Sequence, residues 1–439
     1  MQTLQETIRE KIAIAAAGSP KELTRRTSVR IPAIPGKAKA VVGMRRSGKS
    51  TFLHQVIQDR LRVGNPQERL IYFNFEDERL AGMQGQDLGL VLEEYFVRYP
   101  GNRNSQTVTF FFDEIQLVPG WETFVRRILD SEDVEIFLSG SSAKMLSREV
   151  ATSMRGRSVE ATVYPFSFSE TLAHLGLPIP ENAAFLTPKE RSVLENAFGQ
   201  YLVSGGFPEA QGLLAADRRH LLQTYVDVVI LRDIAERHQL TNLAAIRWLV
   251  RQLLANAGGA FSANKFHKIL QSQQIRGSVE GILEIFSHLE DAFLVHGVPI
   301  EAASERKRQV NPRKAYPVDP GFIPVFDRTG RANIGHALEN LVLIELLRRN
   351  AEVTWIRTPQ GYEIDFFVRY PDGVEELIQV AAEFYSSETV EREFRALQDA
   401  SRLFPEAKLR LLTLRQGHGL EPPPGLDVVI QPTYEWLLV

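Results

Sequence analysis

Short apolar runs alternate with helical stripes between residues 40 and 165. Residues 40–42, residues 70–75 (LIYFNF), Val108–Asp113 (VTFFFD) and Val134–Ser139 (VEIFLS) are compact runs of β-forming residues. The stretches between them place apolar residues three and four apart, as in Phe52, Leu53, Val56, Ile57 and Leu61, in residues 87–99 and in residues 122–130. Such runs predict strands and such stripes predict helices. Strand–helix alternation predicts a parallel sheet covered on both faces. Reactive groups at the carboxyl ends of its strands then converge on one crevice.

The pattern changes on either side of this block. Leu4, Ile8 and Ile12 predict an N-terminal helix, and Pro32 and Pro35 bracket a loop before the first strand. Residues 190–240 read as mostly helical, broken at Gly205-Gly206-Phe207-Pro208. Residues 243–300 read as helices at 244–255, 265–271 and 278–289, followed by a strand at 292–296. The basic segment 306–316 (RKRQVNPRKAY) reads as hairpin-like, an order that fits a winged helix. A helix at 333–350, strands at 354–356, 363–368 and 376–380, a helix at 388–400 and strands at 408–414 and 427–430 predict a small terminal α/β unit. The expected fold class is α/β: a P-loop NTPase parallel sheet with a helical lid, a winged helix and a small nuclease-like α/β domain. The expected boundaries are 1–35, 36–165, 166–240, 241–320 and 321–439.

The chemistry is concentrated where the first strand ends. Gly43-Met44-Arg45-Arg46-Ser47-Gly48-Lys49-Ser50 matches G-x-x-x-x-G-K-[ST] in full, with Thr51 following. Gly43 and Gly48 let the backbone curl so that successive N–H groups meet a phosphate. A helix opening near Lys49 adds the positive end of its dipole. Lys49 is expected to reach the β- and γ-phosphates and Ser50 to ligate Mg²⁺. Asp113 and Glu114 end an apolar strand, so its burial leaves two carboxylates facing the loop. Asp113 is expected to hold Mg²⁺, and Glu114 to orient and deprotonate the attacking water. Ser139 and Ser141 are candidates for sensing the γ-phosphate. Arg155 and Arg157 are candidates for neutralising charge on the transferred group across a subunit boundary. The expected cofactors are ATP and Mg²⁺.

Composition narrows the setting. The 439 residues contain no cysteine, which excludes disulfides, thiolate catalysis and Cys-ligated zinc. No apolar run is long enough to span a bilayer, and the first residues lack a signal-peptide layout, so a cytoplasmic protein is expected. Net charge is −3, which gives no global attraction to nucleic acid. Residues 23–58, however, hold eight basic residues and no acidic one. Part of this charge serves phosphate. The rest reads either as a solvated face or as a nucleic-acid contact.

The loop GMRRSGKST, the strand FFFDEIQ, the segment LSGSSAKMLSREVATSMRGRSVEATVYPFSFSE and the later YLVSGGFPEA together resemble a large family of prokaryotic AAA-type ATPases fused to a C-terminal region. The resemblance implies Asp113 on the Mg²⁺ side, Glu114 as base, a sensor within residues 139–142 and an arginine finger at Arg155 or Arg157. It also implies homo-oligomeric rings, often hexamers. The terminal unit is similar to the core of restriction-endonuclease-like nucleases. Glu339 matches the helix carboxylate, Asp365 the metal-binding aspartate and Gln379 the position of a Glu or Gln. The motif lysine falls at 381, where this chain has Ala381. Alanine cannot activate water or steady a pentavalent phosphate, so a non-cutting domain is expected unless Lys408 or another basic residue substitutes in space.

In the winged-helix region, residues 278–291 carry Glu280, Glu284, Glu290 and Asp291 and no Lys or Arg. A groove-reading helix with that charge opposes phosphate, so if DNA is bound here the candidate contacts are Arg306, Lys307, Arg308, Arg313 and Lys314; the alternative is a purely architectural winged helix. The function expected is Mg²⁺-dependent ATP hydrolysis by a ring-forming motor on duplex or branched DNA. The alternatives are an ATP-dependent switch acting on protein partners in signalling or defence, and an ATP-gated nuclease.

Overall fold

The computed structural model describes residues 3–18, 22–140, 154, 156–183, 185–302, 304, 308, 312–327, 333–382, 387–416 and 420–438. The chain divides into two compact units, Met1–Val163 and Tyr164–Val439. Among the described residues no helix is long and apolar enough to cross a membrane.

The first unit is built on β1 (Ala38–Val42), β2 (Leu70–Asn74), β3 (Val108–Asp113), β4 (Val134–Ser139) and β5 (Ser158–Thr162), in the order β2-β3-β4-β1-β5. Every pairing is parallel, as the alternating pattern predicts. All six residues of β3 are buried, and Phe111 stacks on Phe137 of β4 at 4.9 Å between ring centres. The order has a chemical consequence. β4 lies between the strand that feeds the glycine loop and the strand that ends in the acidic pair, so Ser139 ends beside both. The connecting helices are α2 (Lys49–Arg62), α3 (Leu88–Arg98) and α4 (Trp121–Ser131). The N-terminal helix α1 (Leu4–Ala17) opens on a Thr3/Glu6 capping box. Ion pairs Arg9–Glu94 at 2.9 Å and Lys11–Asp77 at 2.8 Å hold it to this unit.

In the second unit, helices Pro188–Ser204 and Ala215–Val228 flank the Gly205-Gly206-Phe207-Pro208 break. Gly205 has φ 71°, and a β-carbon there would lie 1.7 Å from Asp319 Oδ1. A β-carbon on Gly206 would lie 2.2 Å from the Phe166 carbonyl. The Gly206 amide donates to Asp319 Oδ2 at 2.7 Å, and its carbonyl accepts from the Phe166 amide at 2.7 Å. The motif is therefore a packing knot that only glycine permits. Burial pushes the Asp319 carboxyl up to about 6, against the pull of the two backbone amides it accepts from.

Next come helices Leu243–Ala255, Ala263–Ser272 and Val279–Asp291, close to the expected spans, with Ser278 capping the third. Strand β6 (Gly259–Phe261) precedes the second helix; three residues are too few to leave a periodic signature. The next strand is β7 (Val295–Val298) rather than 292–296, because Phe293 turns the chain at φ 54°. With β8 (Arg313–Pro317) these form an antiparallel sheet ordered β6-β8-β7. The terminal sheet, β13-β12-β11-β10-β9, comprises β9 (Glu352–Arg357), β10 (Glu363–Arg369), β11 (Glu375–Ala381), β12 (Lys408–Thr413) and β13 (Val428–Pro432). Its β9–β10–β11 part is antiparallel and its β11–β12–β13 part parallel. Helices Ile334–Arg348 and Ser387–Ser401 accompany it.

Candidate functional site

The glycine loop is held in shape by its own backbone and by one arginine. Gly43 has φ 146°, Arg46 φ 68° and Gly48 φ 101°. A β-carbon on Gly43 would lie 2.2 Å from the Val163 carbonyl, so glycine is required by contact as well as by conformation. Arg26 is buried and donates to the Ser47 carbonyl at 2.7 Å; its amide donates to Gln55 Oε1 at 2.6 Å. The Lys49 ammonium donates to the Gly43 and Met44 carbonyls, both at 3.0 Å. Ser47 Oγ is wholly buried in the loop with no hydrogen-bond partner among the described residues. An unsatisfied buried hydroxyl is uncommon, and a phosphate oxygen is the acceptor this loop is shaped to receive. The residues present therefore fit a nucleotide phosphate.

The acidic strand meets the loop through a residue that periodicity did not single out. Tyr72 on β2 donates to Asp113 Oδ2 at 2.5 Å, and Ser50 of the loop stands near enough to its hydroxyl to favour loss of its proton. Ser139 Oγ donates to Asp113 Oδ1. Tyr72, Asp113 and Ser139 are thus hydrogen-bonded together across three strand ends, with Ser50 of the loop beside the Tyr72 hydroxyl. Burial, together with the charge and hydrogen bond of Asp113, holds the Tyr72 proton far above the ordinary phenol range. Tyr72 consequently remains a donor to Asp113. Glu114 has φ 55°, a left-handed conformation uncommon for a side chain with a β-carbon. The turn re-aims it relative to Asp113, and Gln116 Nε2 donates to its Oε2.

Other expected contacts fall differently. Ser141, Ser142 and Arg155 lie outside the described residues. Arg157 pairs with Asp130 of the same chain. The basic stretch 23–58 is largely engaged within its own unit. Arg25 pairs with Asp59 at 2.7 Å, Arg26 holds the loop, Lys37 donates to the Gly156 carbonyl and Lys39 pairs with Glu135.

A second cluster is assembled in the other unit, and it corrects two expectations. Lys314, expected as a DNA contact, is buried. Its ammonium lies 3.3 Å from Glu339 Oε1 and 3.3 Å from Asp365 Oδ1. Strand β8 carries it there, so this cation reaches Glu339 and Asp365 from a different sheet. Lys408 does not take that place: it pairs in register with Glu376, while Gln379 pairs with Leu411. Tyr316 donates to Glu339 Oε1 at 2.6 Å, the Val380 amide to Asp365 Oδ2 at 3.0 Å, and Gln379 Nε2 to Glu393 Oε2 at 2.6 Å. Burial and the charge of Glu339 push the Asp365 carboxyl well above its ordinary range. The two carboxylates outweigh the burial of Lys314 and keep it charged.

The remaining basic candidates are also paired or lie outside the description. Arg308 bonds Glu301 at 3.0 Å and Glu352 at 3.4 Å, and Arg313 bonds Glu290 at 3.4 Å. Arg306 and Lys307 lie outside the described residues.

Comparison with known proteins is consistent with a nucleotide-binding core. Residues 35–172 match a family model described as an AAA domain, and residues 195–330 match a domain of unknown function, DUF8612. Uncharacterized protein MJ1544 of Methanocaldococcus jannaschii is 32% identical over 377 residues, covering 85% of this chain and 80% of that protein. An uncharacterized protein of Haemophilus influenzae is 30% identical over 346 residues, covering 79% and 82%. Among solved structures, a Walker-type ATPase of Pyrococcus abyssi aligns with a TM-score of 0.40 at 15% identity, covering 74% of this chain and 96% of that one. The Aeropyrum pernix Orc1 protein in complex with DNA aligns with a TM-score of 0.27 at 14% identity, covering 73% and 90%.

Proposed function

Because the chain belongs to one family with MJ1544 of Methanocaldococcus jannaschii and an uncharacterized protein of Haemophilus influenzae, and its residues 35–172 match an AAA domain, we propose that it hydrolyses ATP at the junction of the glycine loop and β3. The observation that carries the proposal is the cluster of Tyr72 and Ser139 hydrogen-bonded to Asp113, with the Ser50 hydroxyl of the loop beside Tyr72. It places a loop hydroxyl and a strand-end carboxylate in one network, the pair of oxygen ligands that Mg²⁺ favours.

Lys49 and the loop amides bind the phosphates and orient them. Ser50 and Asp113 would hold Mg²⁺, which when bound supplies charge to offset that of the phosphates. Glu114 accepts the proton of the attacking water. Ser139, which donates to Asp113, would report whether a terminal phosphate is present. Replacement of Lys49 by alanine lowers phosphate release about 100-fold or more, the usual scale for removing a positioned electrostatic group. A variant that releases phosphate at the wild-type rate contradicts the assignment.

The family resemblance extends the proposal to a DNA-coupled ring, with Arg155 or Arg157 acting on a neighbour's site. The segment 306–314 adds nothing to that extension, because its described cations are engaged with carboxylates. The order of elements in residues 243–317 supports a winged helix, and that of residues 334–432 supports a nuclease-like domain. For the latter we favour a structural role. Lys314 joins Glu339 and Asp365 as an internal cation, and Tyr316 and the Val380 amide take up further acceptor sites of the pair.

A further inference from the structure

The helix Leu243–Ala255 turns one face to the core, through Ile246, Leu249, Val250, Leu253 and Leu254. Its other face carries Arg247 and Arg251, one turn apart and exposed, with Trp248 half-buried between them. Two cavities open along this face, of about 460 Å³ and 600 Å³, and both are lined by Arg247, Arg251 and Phe326. Arg219 from the helix Ala215–Val228 lines the first and Trp248 the second. Asp227 is the one carboxylate among these lining groups. Among the described residues Arg219, Arg247 and Arg251 have no ion-pair partner. Arg308, Arg313 and Lys314 all do. Three guanidinium groups facing one carboxylate, without internal acceptors, make a groove with the charge to take an anionic chain. The other three tryptophans, Trp121, Trp355 and Trp436, are buried, so Trp248 is the tryptophan set where a ligand can reach it.

We propose that this groove binds single-stranded nucleic acid, with Arg219, Arg247 and Arg251 on successive phosphates and Trp248 stacking on a base. Cations that track a backbone beside an aromatic platform are what an unpaired strand requires. The bases of a duplex are already stacked and paired, so they leave Trp248 without a partner. An acidic polypeptide would satisfy the arginines but leave Trp248 without a stacking partner. The inference stands apart from the ATPase reading: the groove lies in the second unit, and its test needs no nucleotide.

The test uses the full chain without ATP, titrated with dT20, with rU20, with a blunt DNA duplex and with poly-glutamate. Fluorescence anisotropy of labelled oligomers reports binding, and tryptophan emission reports stacking. The expected result is binding of dT20 or rU20 with quenching of Trp248. The arm that binds more tightly identifies DNA or RNA. Three single-strand phosphate contacts predict a slope of log K against log salt of about −2. The double variant Arg247→Glu/Arg251→Glu loses affinity at least tenfold and flattens that slope. Trp248→Leu abolishes the quench while anisotropy still detects weakened binding. Both arginines are exposed, so an unchanged thermal midpoint certifies that the double variant is folded. Full affinity in the double variant, binding without a change in emission, or equal binding of duplex or poly-glutamate overturns the proposal.

Discussion

Glu114→Gln lowers the turnover number for ATP hydrolysis about 100-fold or more while the KM for ATP stays within about threefold, the signature of losing a general base. Glutamine keeps the size of the side chain and its ability to accept from Gln116 Nε2. It cannot take a proton from water. The glycine loop, Arg26 and Lys49 are untouched, so binding persists while chemistry stops. The left-handed backbone at Glu114, φ 55°, supports a directed role. A conformation of this kind costs about 1–3 kcal/mol and persists where surrounding structure enforces it. Steady-state phosphate release alongside equilibrium nucleotide binding checks the split. A turnover number within threefold of wild type places the base elsewhere.

The second large effect concerns stability. Lys314→Met removes the cation shared by Glu339 and Asp365 and costs about 3–5 kcal/mol, as when one member of a buried ion pair is deleted. That is a large share of the 5–15 kcal/mol by which folded domains are usually stable. The sign of the pH dependence follows from Asp365. Its folded pKa is raised, by burial first and by Glu339 second, and loss of the ammonium raises it further. A carboxyl whose folded pKa exceeds its unfolded value of about 3.9 penalises the folded state at high pH. The penalty shrinks as pH falls through the folded value. The deficit of Lys314→Met is therefore largest near pH 8 and recovers towards pH 5. Adding Glu339→Gln recovers part of it at pH 8. Denaturant unfolding across that range reads both effects. An equal deficit at pH 8 and pH 5, or none, contradicts a structural ion cluster. A fully stable variant with altered DNA cleavage favours a catalytic lysine instead.

What could be read from the chain was what is fixed locally. The phosphate loop, Asp113 and Ser139 all sit at strand ends, and a buried apolar run dictates where its last residue emerges. The strands of the terminal sheet were placed within a residue or two for the same reason. Tyr72 was missed because its function depends on β2 pairing with β3, where Asn74 lies opposite Asp113. Within LIYFNF it looks like one more core aromatic. Arg26 was counted in a basic stretch because nothing in a string of charges separates a buried guanidinium on a loop carbonyl from a solvated one.

Ala381 stands where the nuclease resemblance would put a lysine, and the cation beside Glu339 and Asp365 is Lys314. It comes from β8, separated in sequence by the whole helix Ile334–Arg348 and two strands. Arg308 and Arg313 looked like nucleic-acid contacts because their carboxylate partners, Glu301, Glu352 and Glu290, become neighbours only on folding. Arg247 and Arg251 lie on an ordinary amphipathic helix, where nothing in the sequence sets them apart. Their significance is the absence of such partners.

On the proposed reading, Ser50 and Asp113 hold one nucleotide-bound metal ion while Lys49 binds the phosphates. A crystal structure with Mn²⁺ and a non-hydrolysable ATP analogue tests it through the anomalous signal of manganese. The account predicts a single strong peak between Ser50 Oγ and the Asp113 carboxylate, with the analogue's terminal phosphates on Lys49. A peak remote from both residues, or an analogue bound away from the glycine loop, contradicts it.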